Sequence, residues 1–369
     1  MERKILFLVQ VPPPIHGASL RNLSLVQSEY LNDTYTIQLL PLSFAETIES
    51  IGKLSIKKVY KLITISSKLV ICLLRFRPKL VYFTISPVGG AFYRDLLFVL
   101  LIKFFAVKRA YHIRGMGIDK AVSSSLLKRR LYLWAFKNAY VICLSTIHLK
   151  DIVQLSCKKK YVVNNGIYLS KYSVRNTYSS SIEKKRILFL SNYVVSKGVL
   201  FFVDTLYELR KLNSSFEAIM VGADGDITIE QLKFYIDRKE MTSFISVKGK
   251  VSQENIKFDY FKWADIFYFP TYYPNEVFPG VILEAMQSSC AILSTTTGVI
   301  SDILENGEDG IVESSKCPKV FANHLNLLIT QPDEIVRLGK KARINFESKY
   351  TMEIFERNMD NVFNEILLQ

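Results

Sequence analysis

Short β-rich apolar runs alternate with longer stretches of helical spacing along almost the whole chain. This alternation constrains the fold more than any other feature, because strands separated by helices pair most naturally in parallel. A first series covers residues 4–10, 35–40, 80–85, 109–113, 140–144 and 161–163. A second covers 186–191, 216–221, 244–247, 266–269, 291–294 and 310–312. Between them, residues 171–185 (KYSVRNTYSSSIEKK) lose apolar periodicity and fill with Ser, Tyr and charge, as a linker does. From Pro332 onward the spacing is helical with no strand signal. The expected architecture is α/β: two Rossmann-like parallel-sheet domains facing a cleft, with a closing C-terminal helical segment. The expected limits are 1–170, the linker 171–185, 186–345, and a helix over 346–369 packing back towards the first domain. A length of 369 residues suits two cores of roughly 150–200 residues each.

The charge is divided unequally. Residues 1–180 hold 27 Lys and Arg against 8 Asp and Glu, whereas residues 181–369 hold 21 against 26. The basic field of the first half attracts polyanions: nucleic acid, anionic lipid headgroups or a phosphate-bearing acceptor. No nucleic-acid-binding motif accompanies it, so nucleic acid is set aside. In stretches 57–79, 91–109 and 126–137 the cations interleave with Leu, Phe and Trp, the composition of an interfacial helix on an anionic membrane surface. The most apolar run, 96–107, has 12 residues and includes Lys103, too short to span a bilayer, which takes about 20. The N-terminal ILFLVQV is followed by PPPIHG where a signal peptide would carry small residues, so it reads as a buried strand. Five scattered cysteines without CxxC spacing read as reduced thiols, which points to the cytoplasm.

The chemistry concentrates in residues 270–286, PTYYPNEVFPGVILEAM. A strand ends in a loop carrying Glu276, a helix opens at Pro279, and Glu284 follows on that helix. Amides at the helix start, from Gly280 through Val281 to Ile282, offer an anion site. One loop carboxylate, an amide cluster and one helix carboxylate suit a sugar hydroxyl, a diphosphate and a ribose in that order.

This segment resembles the Glu-x7-Glu motif of the retaining family 4 glycosyltransferases of the GT-B fold, and weaker matches follow in family order along essentially the whole chain. Residues 191–198 (SNYVVSKG) resemble the Gly-Arg-x4-Lys-Gly segment, which puts Lys197 on the family's lysine and Asn192 on its arginine. Residues 221–226 (VGADGD) resemble a glycine turn, and Gly249, Lys250 and Val251 the loop that contacts the base. Residues 295–302 keep only Gly298 of the family's glycine pair, while 164–168 (NNGIY) resemble its Asn-Gly-Val-Asp signature. In the first half, residues 12–19 (PPPIHGAS) resemble the glycine loop that approaches donor phosphates, with Gly17 leaving room for a ligand and His16 beside it. His112 stands where relatives carry an active-site histidine; His148 and His324 read as structural.

The resemblance implies transfer of a hexose-type sugar from a nucleotide diphosphate, UDP-linked, with retention of configuration. Catalytic roles fall to His112, Lys197 and Glu276. Donor contacts fall to Gly17, Asn192, Lys197, Gly249, Lys250, Val251, Glu276, Phe278, Pro279, Gly280, Val281, Ile282 and Glu284. Asp224-Gly225-Asp226 is formally the Asp-x-Asp that binds metal in the other main glycosyltransferase fold. In this position it reads as a solvated turn, so neither metal nor cofactor is expected. A lipid-linked or glycan acceptor in capsule or O-antigen-type polysaccharide synthesis, at the cytoplasmic inner face of the cell membrane, fits the basic first half. Two alternatives stay open: a nucleotide-sugar 2-epimerase of the same fold, and a non-catalytic membrane-surface protein.

Overall fold

Residues 3–14, 17–44, 56–173, 184–274 and 276–369 are described by a computed structural model. His16 and residues 174–183 of the expected linker lie outside them. The chain divides into two compact units, Met1–Gly166 with Glu353–Gln369, and Ile167–Met352.

In the first unit the order is β1 (Lys4–Val9), α1 (Gly17–Gln27), α2 (Glu29–Thr34), β2 (Thr36–Pro41), α3 (Ile56–Arg75), β3 (Leu80–Phe83), α4 (Gly89–Phe104), β4 (Lys108–His112), α5 (Ile118–Ser123), α6 (Leu126–Phe136), β5 (Tyr140–Cys143), α7 (Thr146–Lys150) and β6 (Lys159–Val162). The six strands form one parallel sheet in the order β2-β1-β3-β4-β5-β6. Alternate side chains face opposite sides of a strand, so Leu6, Leu8, Val81, Phe83, Tyr111 and Val141 share one core. Buried residues of α3, α4, α5 and α6 close over that core, which places these helices on one face.

The second unit runs β7 (Lys185–Leu190), a single 3₁₀ turn (Val195–Lys197), α8 (Val199–Leu212), β8 (Phe216–Val221), α9 (Ile229–Arg238), β9 (Ile245–Lys248), α10 (Glu254–Trp263), β10 (Ile266–Phe269), α11 (Gly280–Gln287), β11 (Ala291–Thr295), α12 (Ile300–Ile303), β12 (Ile311–Glu313), α13 (Pro318–Thr330) and α14 (Pro332–Lys349). Its parallel sheet has the order β12-β11-β10-β7-β8-β9. All twelve expected strands form, each within two residues of its expected limits. Strand order reverses between β1 and β3 in the first sheet and between β7 and β10 in the second. Ligands of open parallel sheets bind beyond the strand ends at such reversals.

Two expectations shift. The limit at 345 falls inside α14, which continues to Lys349 because Phe346 is buried in the second core. The limit at 170 moves to Gly166, because Ile167 exchanges backbone hydrogen bonds with Tyr350 (3.0 Å) and Met352 (2.9 Å). Within residues 91–109, α4 ends at Phe104, and Arg109 lies buried in β4 as its expected strand requires, donating to the Lys137 carbonyl.

The last helix, α15 (Met352–Leu368), belongs with the first unit from Glu353 onward. It covers the sheet face opposite α3 to α6. Phe363 meets Phe7, Tyr35 and Tyr82 at ring separations of 5.8, 5.9 and 5.4 Å. Asp360 accepts the Tyr35 hydroxyl at 2.6 Å, and the Lys108 ammonium donates to the Ile366 carbonyl at 3.0 Å, completing the helix end with a cation. Removing the Phe363 ring should therefore open a cavity at a three-ring junction. Phe363→Ala is expected to lower stability by about 3–5 kcal/mol, read from urea unfolding of the full chain.

Candidate functional site

At the reversal between β7 and β10, two loops leave neighbouring strands and are clamped together. The Tyr272 amide donates to the Ser196 carbonyl at 2.7 Å. Gly198 permits the approach: its φ is +84°, and a Cβ there would lie 2.0 Å from the Pro270 carbonyl oxygen. The clamp sets Lys197 beside Glu276, and their side chains form an ion pair. Their side chains are only 20% and 12% exposed, so the pair works in a medium that weakens charges less than water does. The Lys197 ammonium also lies 4.5 Å from the centre of the Tyr273 ring. Behind the pair, Gly298 on the loop after β11 has φ +63°, and a Cβ there would lie 1.9 Å from the Glu276 carbonyl oxygen.

The Glu284 carboxylate, on α11, is held by Lys257 of α10 at 2.7 Å. Pro279 is the residue before α11 and not its first helical residue as expected; its ψ of 111° is extended, and the helix starts at Gly280. The Pro279 carbonyl accepts the Ile282 amide at 3.1 Å. That satisfies one member of the expected amide cluster internally, leaving Gly280 and Val281 as its open part among the described residues. Space beside Gly280 is free: apart from its chain neighbours and the helix backbone, no atom of the described residues lies within 4 Å of a Cβ built there. Phe278 packs edge-on against Tyr350, 6.0 Å away, and so supports the loop from within.

On the β8 and β9 side, Tyr193 joins the loops. Its hydroxyl lies 3.0 Å from the Met220 carbonyl and 2.6 Å from that of Lys248, while its amide donates to Ala223 at 2.8 Å. Gly222 makes room, since a Cβ there would lie 2.0 Å from the Ser191 carbonyl oxygen. Asn192 is exposed, as are Gly249 and Lys250 beyond β9, with Val251 half-buried. Asp224 and Asp226 tie the turn together: Asp224 accepts the Ile229 amide at 2.9 Å and Asp226 the Val195 amide at 3.1 Å.

In the first unit, Gly17 begins α1 with nothing among the described residues beyond its chain neighbours and the helix backbone within 4 Å of a Cβ built there, and the Ser19 hydroxyl donates to the Pro14 carbonyl at 2.8 Å. His112 ends β4 and is fully buried. Its Nδ1 lies 2.7 Å from the Tyr82 hydroxyl and 3.5 Å from the Arg114 guanidinium. Arg114 can only donate, so Nδ1 accepts and the proton sits on Nε2, which has no partner among the described residues. Burial first, then the positive charge of Arg114 and the nearby His148, hold its pKa well below 6.5. His148 is itself depressed by burial; its Nε2 lies 2.9 Å from the Gly115 carbonyl, and its Nδ1 accepts the Leu144 amide at 3.2 Å.

Residues 184–331 match the family model for glycosyl transferases group 1, which takes in the Lys197 and Glu276 loops and the helix carrying Glu284. This segment is a group 1 glycosyltransferase domain. A capsular polysaccharide biosynthesis glycosyltransferase of Staphylococcus aureus, CapH, is 24% identical over 215 residues, covering 58% of this chain and 57% of the relative. The chain thus spans a little over half the length of that relative. Over whole chains, a glycosyltransferase of Rickettsia africae superposes with a TM-score of 0.76 at 16% identity, covering 99% of both. The Anabaena HepE protein in complex with UDP gives 0.76 at 17%, covering 98% of this chain and 100% of that one. The fold is that of the GT-B glycosyltransferases.

Within the glycosyltransferase domain, two residues escaped the sequence reading. Lys257 lies 27 positions from Glu284, and no spacing rule links them. Tyr193 follows Asn192 in the loop, yet its role as a joint depends on β8 and β9 both lying within reach. Two measurements follow from this geometry. Gly298→Ala is expected to lower stability by about 1–3 kcal/mol, because both its φ and its contact with Glu276 must change. Gly280→Ala, facing open space, should stay within about 0.5 kcal/mol of the parent, both variants being read from urea unfolding. Second, His112 binds its proton more weakly folded than unfolded. Its contribution to stability is therefore complete above pH 6.5 and is lost as the pH falls below that value. His112→Asn should flatten the acid limb of the stability profile between pH 7.5 and 5.

Proposed function

We propose that the protein is a metal-independent, retaining glycosyltransferase that moves a hexose-type sugar from a UDP-linked donor to a lipid-linked or glycan acceptor in cell-surface polysaccharide synthesis. The observation that carries this reading is the Lys197–Glu276 pair at the strand reversal of a group 1 glycosyltransferase domain, beside the open helix start at Gly280. CapH supports the polysaccharide setting by its description, and HepE supports UDP by the ligand it holds.

Without donor, each charge of the pair neutralises the other. An arriving diphosphate competes for the Lys197 ammonium and frees the Glu276 carboxylate to accept sugar hydroxyls. The Gly280 and Val281 amides add hydrogen bonds and the positive end of the α11 dipole to the phosphate. Glu284, steadied by Lys257, is assigned to the ribose, and the exposed Gly249–Lys250–Val251 loop to the base. In the transfer step the bond between the anomeric carbon and the phosphate oxygen breaks with its electron pair moving to UDP. The acceptor oxygen bonds to the same face of the sugar, and its proton passes to the departing phosphate. Lys197 and the amides stabilise the charge that grows on that phosphate. His112, neutral and with an unmatched Nε2–H, is assigned to the transferred sugar. The amides already bound by Asp224 and Asp226 support metal independence. A lipid-linked acceptor places the work at the cytoplasmic inner face of the cell membrane, as a peripheral protein.

The test is transfer of labelled sugar from a panel of UDP-sugars to membranes. Lys197→Ala and Glu276→Ala should each reduce the rate on the order of 10²-fold, and a chelator should leave the parent rate unchanged. Undiminished transfer in both variants would remove the assignment.

A further inference from the structure

The outward surface of α3, α4 and α6 has a composition that the reaction site does not use. Along α4, Tyr93, Leu97, Leu100 and Phe104 are exposed at spacings of four, three and four, which aligns them on one side of the helix; Phe104 is 81% exposed. On α3, Tyr60, Ile63, Ile71 and Leu74 are exposed, and on α6 Leu126, Leu127 and Trp134. These helices share one face of the first sheet, so their exposed side chains belong to one surface. Apolar side chains gathered on a surface in this way mark an interaction site more often than chance.

The charges on the same helices select the partner. Their sequences contain ten Lys and Arg but a single acid, Asp95. Asp95 is buried and paired with Arg94 at 2.6 Å, so it presents no negative charge outward. A second copy of this face would set cations against cations. An anionic bilayer supplies both complements, acyl chains for the apolar stripe and phosphates for the cations. At the α4–α6 junction the Lys103 ammonium lies 4.3 Å from the Trp134 ring centre and donates to the Trp134 carbonyl. Burial, with Arg109 and Lys137 close by, pushes the Lys103 pKa down to about 8. A headgroup phosphate there relieves the crowding of like charges. Among the described residues no helix is long and apolar enough to cross a membrane.

We propose that the outward face of α3, α4 and α6 docks the protein on an anionic phospholipid surface, with the Leu100–Phe104 end of α4 and Trp134 entering the interface and the basic side chains at the headgroups. This deepens the reading of a transferase with a lipid-linked acceptor by naming the surface that meets the lipid, and its test does not require sugar transfer.

The full-length protein is sedimented with vesicles of phosphatidylcholine containing about one-third phosphatidylglycerol, and with phosphatidylcholine alone. Binding to the anionic vesicles is expected, falling with added salt and weak on the neutral ones. Leu100→Glu with Phe104→Glu, and separately Arg129→Glu with Arg130→Glu, should each weaken it by at least about tenfold. Both double variants should keep the parent melting temperature and the parent rate of UDP release from donor without acceptor. The proposal is overturned if the parent ignores anionic vesicles, or if both folded variants bind them as the parent does. It is overturned equally by a dimer in sedimentation velocity that the α4 variant dissociates. A protein that docks but transfers no sugar keeps this surface and loses the functional reading; Lys197→Ala, still binding vesicles, separates the two.

Discussion

A parallel sheet sends every outgoing loop to the same edge, and a reversal in strand order makes two neighbouring loops diverge and leave a gap between them. In the second unit that gap lies between β7 and β10, and the local geometry of the site follows from how its sides are held. One backbone hydrogen bond, from Tyr272 to Ser196, joins the loops, and two glycines allow backbone to approach backbone where any Cβ would intrude. The Lys197–Glu276 pair is the result of that clamp. Two long side chains of opposite charge on solvated loops would contribute little. Fixed and mostly buried, they set an ammonium and a carboxylate side by side at the strand reversal, the arrangement on which the proposed donor contacts rest.

The same economy appears at Glu284 and in the Asp224–Asp226 turn. Each carboxylate is already engaged, Glu284 by the Lys257 ammonium and the two aspartates by backbone amides, but the consequences differ. An ammonium on a flexible stem can swing aside when a ligand arrives. Backbone amides cannot leave without unfolding the turn. The assignment of Glu284 to a ligand in the proposed function rests on this difference, which the two aspartates do not share.

The first unit divides its labour between two sheet faces. One is closed by α15, whose Phe363 fills a junction of aromatic rings and whose Asp360 binds the Tyr35 hydroxyl. The other carries α3 to α6, whose inner sides make the main core, while the outer sides of α3, α4 and α6 stay apolar and basic. The first half's excess of cations is thus not spread evenly: α3, α4 and α6 carry ten of them with one buried acid. His112 lies within this unit as a neutral, fully buried imidazole with one N–H unmatched among the described residues, a state set by burial and by Arg114.

The sequence by itself determined the twelve strands, their parallel pairing in two sheets and the loop that carries Glu276, because these depend on local periodicity and on residues close together in the chain. Lys197 and Gly298 were legible only through a family resemblance, since nothing local distinguishes one loop lysine or glycine from another. The tertiary structure alone decided that Lys197 reaches Glu276 across 79 positions, that Lys257 holds Glu284, and that Tyr193 spans three strands. It also decided that Pro279 precedes its helix and that Phe346 carries α14 past the expected limit. The physical reason is common to all of these. Periodicity records which side of an element is buried, whereas an ion pair or a packed ring records which elements the folded chain has brought within a few ångströms.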